Sequence, residues 1–219
     1  MGSATKFKGF TVTGGSYGIV CDKGAVPVIS NCIITKNTLM GVMLYQSTVN
    51  ITNCIIRNND GLGIFANSVG IYAKNNLIYD NNEGFTIFGP YTGGIIRNNT
   101  IVNNKNYGIK TEGEMKLSIS NCIIRNNGVD VIGRIPAYSC FNEVNDTNGT
   151  GNIHSDPCFV DADANNFHIS IRSPCVNAGD PNEALYKGET DIDGEPRVIG
   201  GRVDIGADET KVSLPAVKQ

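Results

Sequence analysis

From Gly9 to about Asn127 the chain runs in short bursts of alternating apolar and polar residues, separated by Asn and Gly. Residues i and i+2 share one face of a strand, so a period of two specifies strands. The bursts GFTVTGG, NCIITKN, NCIIRNN, NNLIYDNN, NNTIVNN and NCIIRNN begin at Gly9, Asn31, Asn53, Asn75, Asn98 and Asn121, giving intervals of 22, 22, 22, 23 and 23 residues. A near-constant repeat made only of strands and turns is the pattern of a solenoid, in which each coil stacks on the one before.

Each coil predicts three short strands. In the first, the inward pairs are Phe10 with Val12, Cys32 with Ile34, Cys54 with Ile56, Asn76 with Ile78, Asn99 with Ile101, and Cys122 with Ile124. A second strand follows a recurring glycine (Gly18, Gly41, Gly63, Gly84, Gly108) and points Ile19, Val42, Ile64, Phe85 and Ile109 inward. The third is seen in VNIT, GIYAK, GGIIR and LSIS. The predicted fold is all-β, a single-stranded right-handed parallel β-helix with about six to eight rungs and an irregular C-terminal cap. Rungs about 4.8 Å apart place each residue above its counterpart. Asn37, Asn59, Asn81, Asn104 and Asn127 then form a hydrogen-bonded column at a corner, a structural ladder and not a ligand site.

The residues between the inward positions form surface columns. Thr11, Ile33, Ile55, Leu77, Thr100 and Ile123 make one, and Val20, Met43, Phe65, Thr86 and Lys110 another. Apolar columns of this length call for cover by a loop, the tail or a second subunit, and a homo-oligomer is the leading expectation. The first rung has no cap, which adds a second surface for self-association. Beside the first column, Arg57, Tyr79 and Arg125 adjoin a polar row of Lys36, Asn58, Asp80, Asn103 and Asn126. On this strip Tyr79 is expected to stack on a sugar while Arg57, Arg125 and Lys36 meet uronate carboxylates. Asp80 with Arg57 is the best acid and cation pair for catalysis.

Composition removes several classes of function. Asn and Gly suit turns, and charged residues are only 18% of the 219. The net charge of −3, with the 18 Lys and Arg dispersed, leaves no basic stripe for nucleic acid. No apolar run reaches the ~20 residues of a membrane span. The start, MGSATKFKGF, lacks the apolar stretch of a secretory signal, and with the repeat beginning so early this says little about the parent protein. The seven cysteines show no zinc spacing. Cys32 and Cys54 are expected reduced in the core, while a disulfide within Cys140, Cys158 and Cys175 stays open.

Beyond about Ala137 the repeat gives way to a different text, DPCFVD, FHIS, SPCVNAGDP, DIDGEPR and VDIGADE. With the repeats, this run resembles the tail of bacterial secreted or cell-surface right-handed β-helix proteins of the pectate-lyase-like superfamily. The resemblance implies rungs over 1–137, final rungs and a cap over 138–219, and a secreted or cell-surface location. Arg197 is expected to pin the cap by pairing with Asp191, Asp193, Asp204 or Glu209. Asp191 with Asp193, or Asp161 with Asp163, are the candidates for calcium, the one cofactor considered. His154 and His168 are the only histidines, and His168 reads as an ordinary strand residue. The paired-Asp and Gly-His-Gly motifs of polygalacturonases and the arginine motif of pectate lyases have no counterpart. The leading reading is a noncatalytic extracellular or cell-surface scaffold or carbohydrate-binding module. A lyase, glycosidase or epimerase acting on acidic polysaccharide is the alternative, and a purely structural self-associating unit the second.

Overall fold

The computed structural model describes residues 5–142, 149–183 and 188–211. Three six-stranded parallel sheets wrap one core. Sheet A comprises Lys6–Lys8, Val28–Ser30, Thr48–Thr52, Gly70–Lys74, Gly93–Arg97 and Lys116–Ser120. Sheet B comprises Thr11–Thr13, Ile33–Thr35, Ile55–Arg57, Leu77–Tyr79, Thr100–Val102 and Ile123–Arg125. Sheet C comprises Tyr17–Cys21, Met40–Tyr45, Leu62–Asn67, Glu83–Phe88, Tyr107–Glu112 and Val129–Ile132. The pairing keeps the register of the repeat, so that Val12, Ile34, Ile56, Ile78, Ile101 and Ile124 stack as one inward column. The coil therefore starts earlier than Gly9, because Lys6–Lys8 already pairs with Val28–Ser30. Phe10 does not point inward as predicted. It belongs to the terminal rung, is 54% exposed, and stacks on Phe7 at 4.5 Å between ring centroids.

The corner between sheets B and C is held by asparagine. Asn37 Nδ2 donates to Asn59 Oδ1 at 2.9 Å, Asn59 to Asn81 at 2.9 Å, Asn81 to Asn104 at 3.1 Å, and Asn104 to Asn127 at 2.9 Å. The ladder ends on a carboxylate, with Asn127 donating to Asp130 Oδ1 at 3.0 Å. Each amide also satisfies backbone groups of its own and the preceding rung, which is what buried polar groups require. The recurring glycine makes room for this ladder. A Cβ on Gly41 would lie 2.8 Å from the Gly63 carbonyl oxygen and 2.9 Å from Asn59 Nδ2, a clash no side chain tolerates. A shorter ladder runs through the cysteine column, where Cys54 N–H donates to Asn76 Oδ1 at 2.9 Å and Asn76 Nδ2 to Asn99 Oδ1 at 2.9 Å.

Left-handed backbone brackets every sheet B strand from the second rung on. Asn31, Asn53, Asn75, Asn98 and Asn121 precede the strands, and Lys36, Asn58, Asp80, Asn103 and Asn126 follow them, all with φ between 51° and 57°. Asn and Asp enter this region most readily among residues with a Cβ. The polar row predicted to be a ligand strip thus has a conformational reason for its composition, and Lys36 is the misfit in it.

After sheet C closes at Ile132, the chain covers the end of the solenoid and then turns back. Ala137 and Cys140 bridge to Ser120 and Ile123, Cys140 bridges to Ile153, and Phe141 is fully buried in the main core. Residues from Phe159 onward fold back along the outside of sheet B. The antiparallel hairpin of Phe159–Asp161 with Asn166–Ile169 starts this layer. Phe167, Ile169, Cys175 and Ile205 then form a second core with Tyr79, Val102 and Ile123, flanked by Ile55 and Leu77. From Ile55 to Ile123 the apolar column of sheet B is therefore covered by the chain's own tail, while Thr11 and Ile33 on the first rungs lie outside that cover. This corrects the leading expectation for that column, which was cover by a second subunit.

All seven cysteines are free. Burial pushes the Cys54 thiol up to about 12 and that of Cys122 to about 11, so both serve as inert core residues. Cys140 and Cys175 share the second core, where the neighbouring Cys140 thiol and burial raise the Cys175 thiol.

Two stability measurements follow from the ladder and the corners. Asn81→Ala strands the Asn59 N–H and Nδ2 that Asn81 Oδ1 accepts, and should cost about 2–3 kcal/mol in urea unfolding. Lys36→Asn relieves a left-handed position on the surface and should add about 0.5–1 kcal/mol, read as a rise in melting temperature.

Candidate functional site

Sheet B lies under the tail, and its upper corner clamps the tail through the asparagines that open each coil. Asn75 Nδ2 donates to the Thr190 carbonyl at 2.7 Å, Asn53 Nδ2 to that of Asp191, and Asn121 Oδ1 accepts from Asp180 N–H at 2.8 Å. Glu189 sits between Lys74 at 3.5 Å and Arg97 at 3.2 Å, and Arg97 also pairs with Glu183. Burial, with the neighbouring Arg97 charge, lowers the Lys74 ammonium below its ordinary range.

The predicted strip is split by this arrangement. Tyr79 is only 5% exposed, with the Phe167 ring packed edge-on at 5.1 Å between centroids and the Arg57 guanidinium 5.8 Å over its ring. Its hydroxyl accepts from Arg57 Nη1 at 3.0 Å. A sugar cannot stack on a ring already enclosed, so the stacking role is corrected to a packing role under the tail. Arg125 holds the end segment, donating to the His154 carbonyl at 3.3 Å and Asn142 Oδ1 at 3.5 Å. Lys36 is exposed on an earlier rung. Asp80 faces an open polar trough of about 390 Å³ at the corner, lined with Asn58, Asp60, Asn82, Asn103 and Lys105. Burial raises its carboxyl above the ordinary range, and Arg57 partly opposes that.

The calcium pairs are also resolved. Asp191 is fully buried, and its two oxygens accept backbone N–H groups, Oδ1 from Asp193 at 3.0 Å and Glu195 at 2.8 Å, and Oδ2 from Glu209 at 3.0 Å. It organises the DIDGEPR turn, which corrects its assignment as a calcium ligand. Asp193 points away from it, to His168 Nε2 at 2.7 Å. Asp161 Oδ1 caps the hairpin turn through Ala164 N–H at 3.2 Å.

Arg197 is the pin of this layer. It is 2% exposed, donates to the Asp204 carbonyl at 2.9 Å and the Gly206 carbonyl at 2.7 Å, and pairs with Glu209 at 3.4 Å. One guanidinium faces three buried carboxylates, Asp191, Asp204 and Glu209. Burial consequently pushes Glu209 up to about 8 despite Arg197, and burial pushes Asp208 to about 6 despite His168.

Sheet C contributes nothing to the second core, and its outer face ranges from exposed at Tyr17, Val20 and Tyr45 through half-buried at Phe65, Phe88 and Tyr107 to buried at Thr86. One column runs Tyr17, Met40, Leu62, Glu83, Tyr107, the next Val20, Met43, Phe65, Thr86, Lys110, and a third Tyr45, Asn67, Phe88, Glu112. Tyr17 and Tyr45 are 40% and 39% exposed. Lys110 Nζ stands 5.3 Å from the Tyr107 ring centroid and 5.6 Å from that of Phe88, and pairs with Glu112 at 2.8 Å. Sequence reasoning recorded only the middle column; the aromatic neighbours could have been found by extending the second strand by two residues on either side.

Residues 1–160 match the family described as the right-handed β-helix region. The chain belongs to that family. No curated protein matches it. Among solved structures it is similar to the crystal structure of pectate lyase Pel9A, with a TM-score of 0.55 and 16% identity, over 92% of this chain and 73% of that one. At that identity the likeness is one of fold. No helix among the described residues is long and apolar enough to cross a membrane.

The tail should respond to pH with a definite sign. Asp208 and Glu209 hold a proton more tightly folded than unfolded, so their contribution is complete below about pH 4 and is lost as pH rises through about 6 and then about 8. Urea midpoints are expected to fall between pH 5 and pH 8.5, and Glu209→Gln should flatten the upper part of that decline.

Proposed function

We propose that this β-helix is a noncatalytic scaffold that binds a polysaccharide along the outer face of sheet C and the adjoining Asp80 trough, outside the cell. The carrying observation is the division of the surface: the tail seals sheet B, while sheet C leaves Tyr17, Tyr45, Phe65, Phe88 and Tyr107 in ladders beside Glu83, Lys110 and Glu112. Aromatic rings offer flat apolar faces to sugar C–H groups, and the flanking charged and amide groups satisfy hydroxyls. A stacked solenoid repeats such contacts rung after rung, which suits a repeating polymer. The extracellular location is supported by the resemblance of the tail to secreted and cell-surface families.

A pectate lyase with the same fold makes lyase action the reading to test against. Asp80 and Arg57 would have to supply it, and Arg57 is committed to Tyr79. Affinity electrophoresis against neutral and acidic polysaccharides should show retardation by at least one of them. Phe88→Ala and Tyr107→Ala should each weaken binding about tenfold, the equivalent of about 1.4 kcal/mol. Retardation unchanged in both variants would place the ligand elsewhere, and accumulation of unsaturated product absorbance would make the protein a lyase.

A further inference from the structure

His168, Asp193 and Asp208 come from three separate parts of the tail: the second hairpin strand, the DIDGEPR turn and the VDIGADE segment. Among the described residues they are the one group of His, Cys, Asp or Glu side chains whose donor atoms all lie within 4.8 Å of one another. We propose that they bind one divalent transition-metal ion of the zinc class, which staples the three segments together. The site is independent of the sheet C face; it shares Asp193 with one of the calcium pairs read from the sequence but leaves out Asp191.

The histidine is prepared for a metal. Its Nδ1 lies 2.5 Å from Asn166 Oδ1 and keeps its proton there, while Nε2, which donates to Asp193 Oδ2 in the metal-free protein, gives up its proton when a metal binds. An outer partner that fixes the tautomer in this way is the usual support of a metal-bound imidazole. Nε2 faces Asp193 Oδ2 at 2.7 Å, the direction in which the second ligand stands. Ligands on a tetrahedral zinc ion sit about 3–3.5 Å apart, so the His168–Asp193 pair at 2.7 Å has to open slightly while donor atoms that now lie within 4.8 Å of one another close around the ion.

The electrostatics favour a cation as well. Asp208 and Asp193 are joined by Asp191 within the same few turns, against the single buried Arg197. On the inner side, a small cavity of about 50 Å³ lined by Leu77, Thr100, Phe167, Ile192 and Ala207 backs onto His168 and Asp208. Its apolar wall limits screening and strengthens the attraction of a cation for the two carboxylates. One imidazole with two carboxylates selects zinc-like ions, because calcium and magnesium prefer six or more oxygen donors. His168 and Asp193 are about half exposed, so an ion can enter from solvent and keep water in its remaining position.

The test uses the whole chain, free of any histidine tag and stripped with a chelator. Titration calorimetry should show one Zn²⁺ per chain at micromolar or tighter affinity, with Ca²⁺ at least a hundredfold weaker, and Zn²⁺ should raise the melting temperature. His168→Ala and Asp208→Asn should each weaken Zn²⁺ at least tenfold while leaving the metal-free melting temperature within a few degrees. Co²⁺ should give visible ligand-field bands without thiolate charge transfer, which separates this site from the cysteines. Absence of stoichiometric Zn²⁺ binding, equal affinity for Ca²⁺, a thiolate band, or Zn²⁺ binding retained in both variants would overturn the proposal. If a variant fails to fold, His168→Gln, which keeps a polar side chain on the strand, repeats the measurement.

Discussion

Every other feature of this molecule depends on in-register stacking of parallel strands. Rungs separated by a single interstrand spacing turn each sequence position into a column, so a choice made once is made six times. A buried amide at the sheet B to sheet C corner would be costly alone. Repeated, it becomes a ladder in which Asn37 to Asn127 satisfy one another and the turn backbone, ending on Asp130. The same rule forces Gly41 and Gly63 to lack a side chain, because the ladder and the next carbonyl fill the space a Cβ would need.

Stacking also creates the problem that the tail solves. Outward apolar residues at one position of each coil produce a strip, here Ile55, Leu77 and Ile123 with Tyr79 and Val102, that water would not tolerate bare. The tail folds back and makes it a second core, and the asparagines that open each coil serve twice. Their left-handed backbone turns the corner, and the side chains of Asn53, Asn75 and Asn121 hold the returning segment. With sheet B partly covered, sheet C carries its aromatic columns outside the second core.

The regular part was legible because a period of two inside a period of 22 to 23 leaves little choice of fold. The conformational demand on the Lys36 to Asn126 row was hidden in the sequence, since a column of polar residues looks the same whether a ligand or a positive φ demands it. Tyr79 was misread for a related reason: alternation says that a side chain points outward, not that another layer lies over it. The tail was hardest, because its contacts join residues far apart in the chain, as in Ala207 N–H to Thr100 Oγ1 at 3.0 Å. The closing rungs were hidden by compression. Ser139 continues the cysteine and asparagine column 17 residues after Cys122, and Asn152 follows 13 later, intervals too short to align with the repeat. Arg197 was recognised as the pin, yet which acid it meets and how deeply it is buried needed the packing to decide.

The fold-back of the tail onto sheet B is the claim on which the rest turns, and amide hydrogen exchange reads it directly. The N–H groups of Ile205, Gly206 and Ala207 donate to Cys175, Asn121 and Thr100 at 2.9, 2.9 and 3.0 Å, and all three residues are buried. Their exchange should be slowed to the level of the sheet B amides beneath them, and Ile55, Leu77 and Ile123 should bind no hydrophobic dye. Fast exchange across residues 203–209 with the solenoid strands still protected, together with dye binding, would show a tail detached from sheet B and would contradict the arrangement.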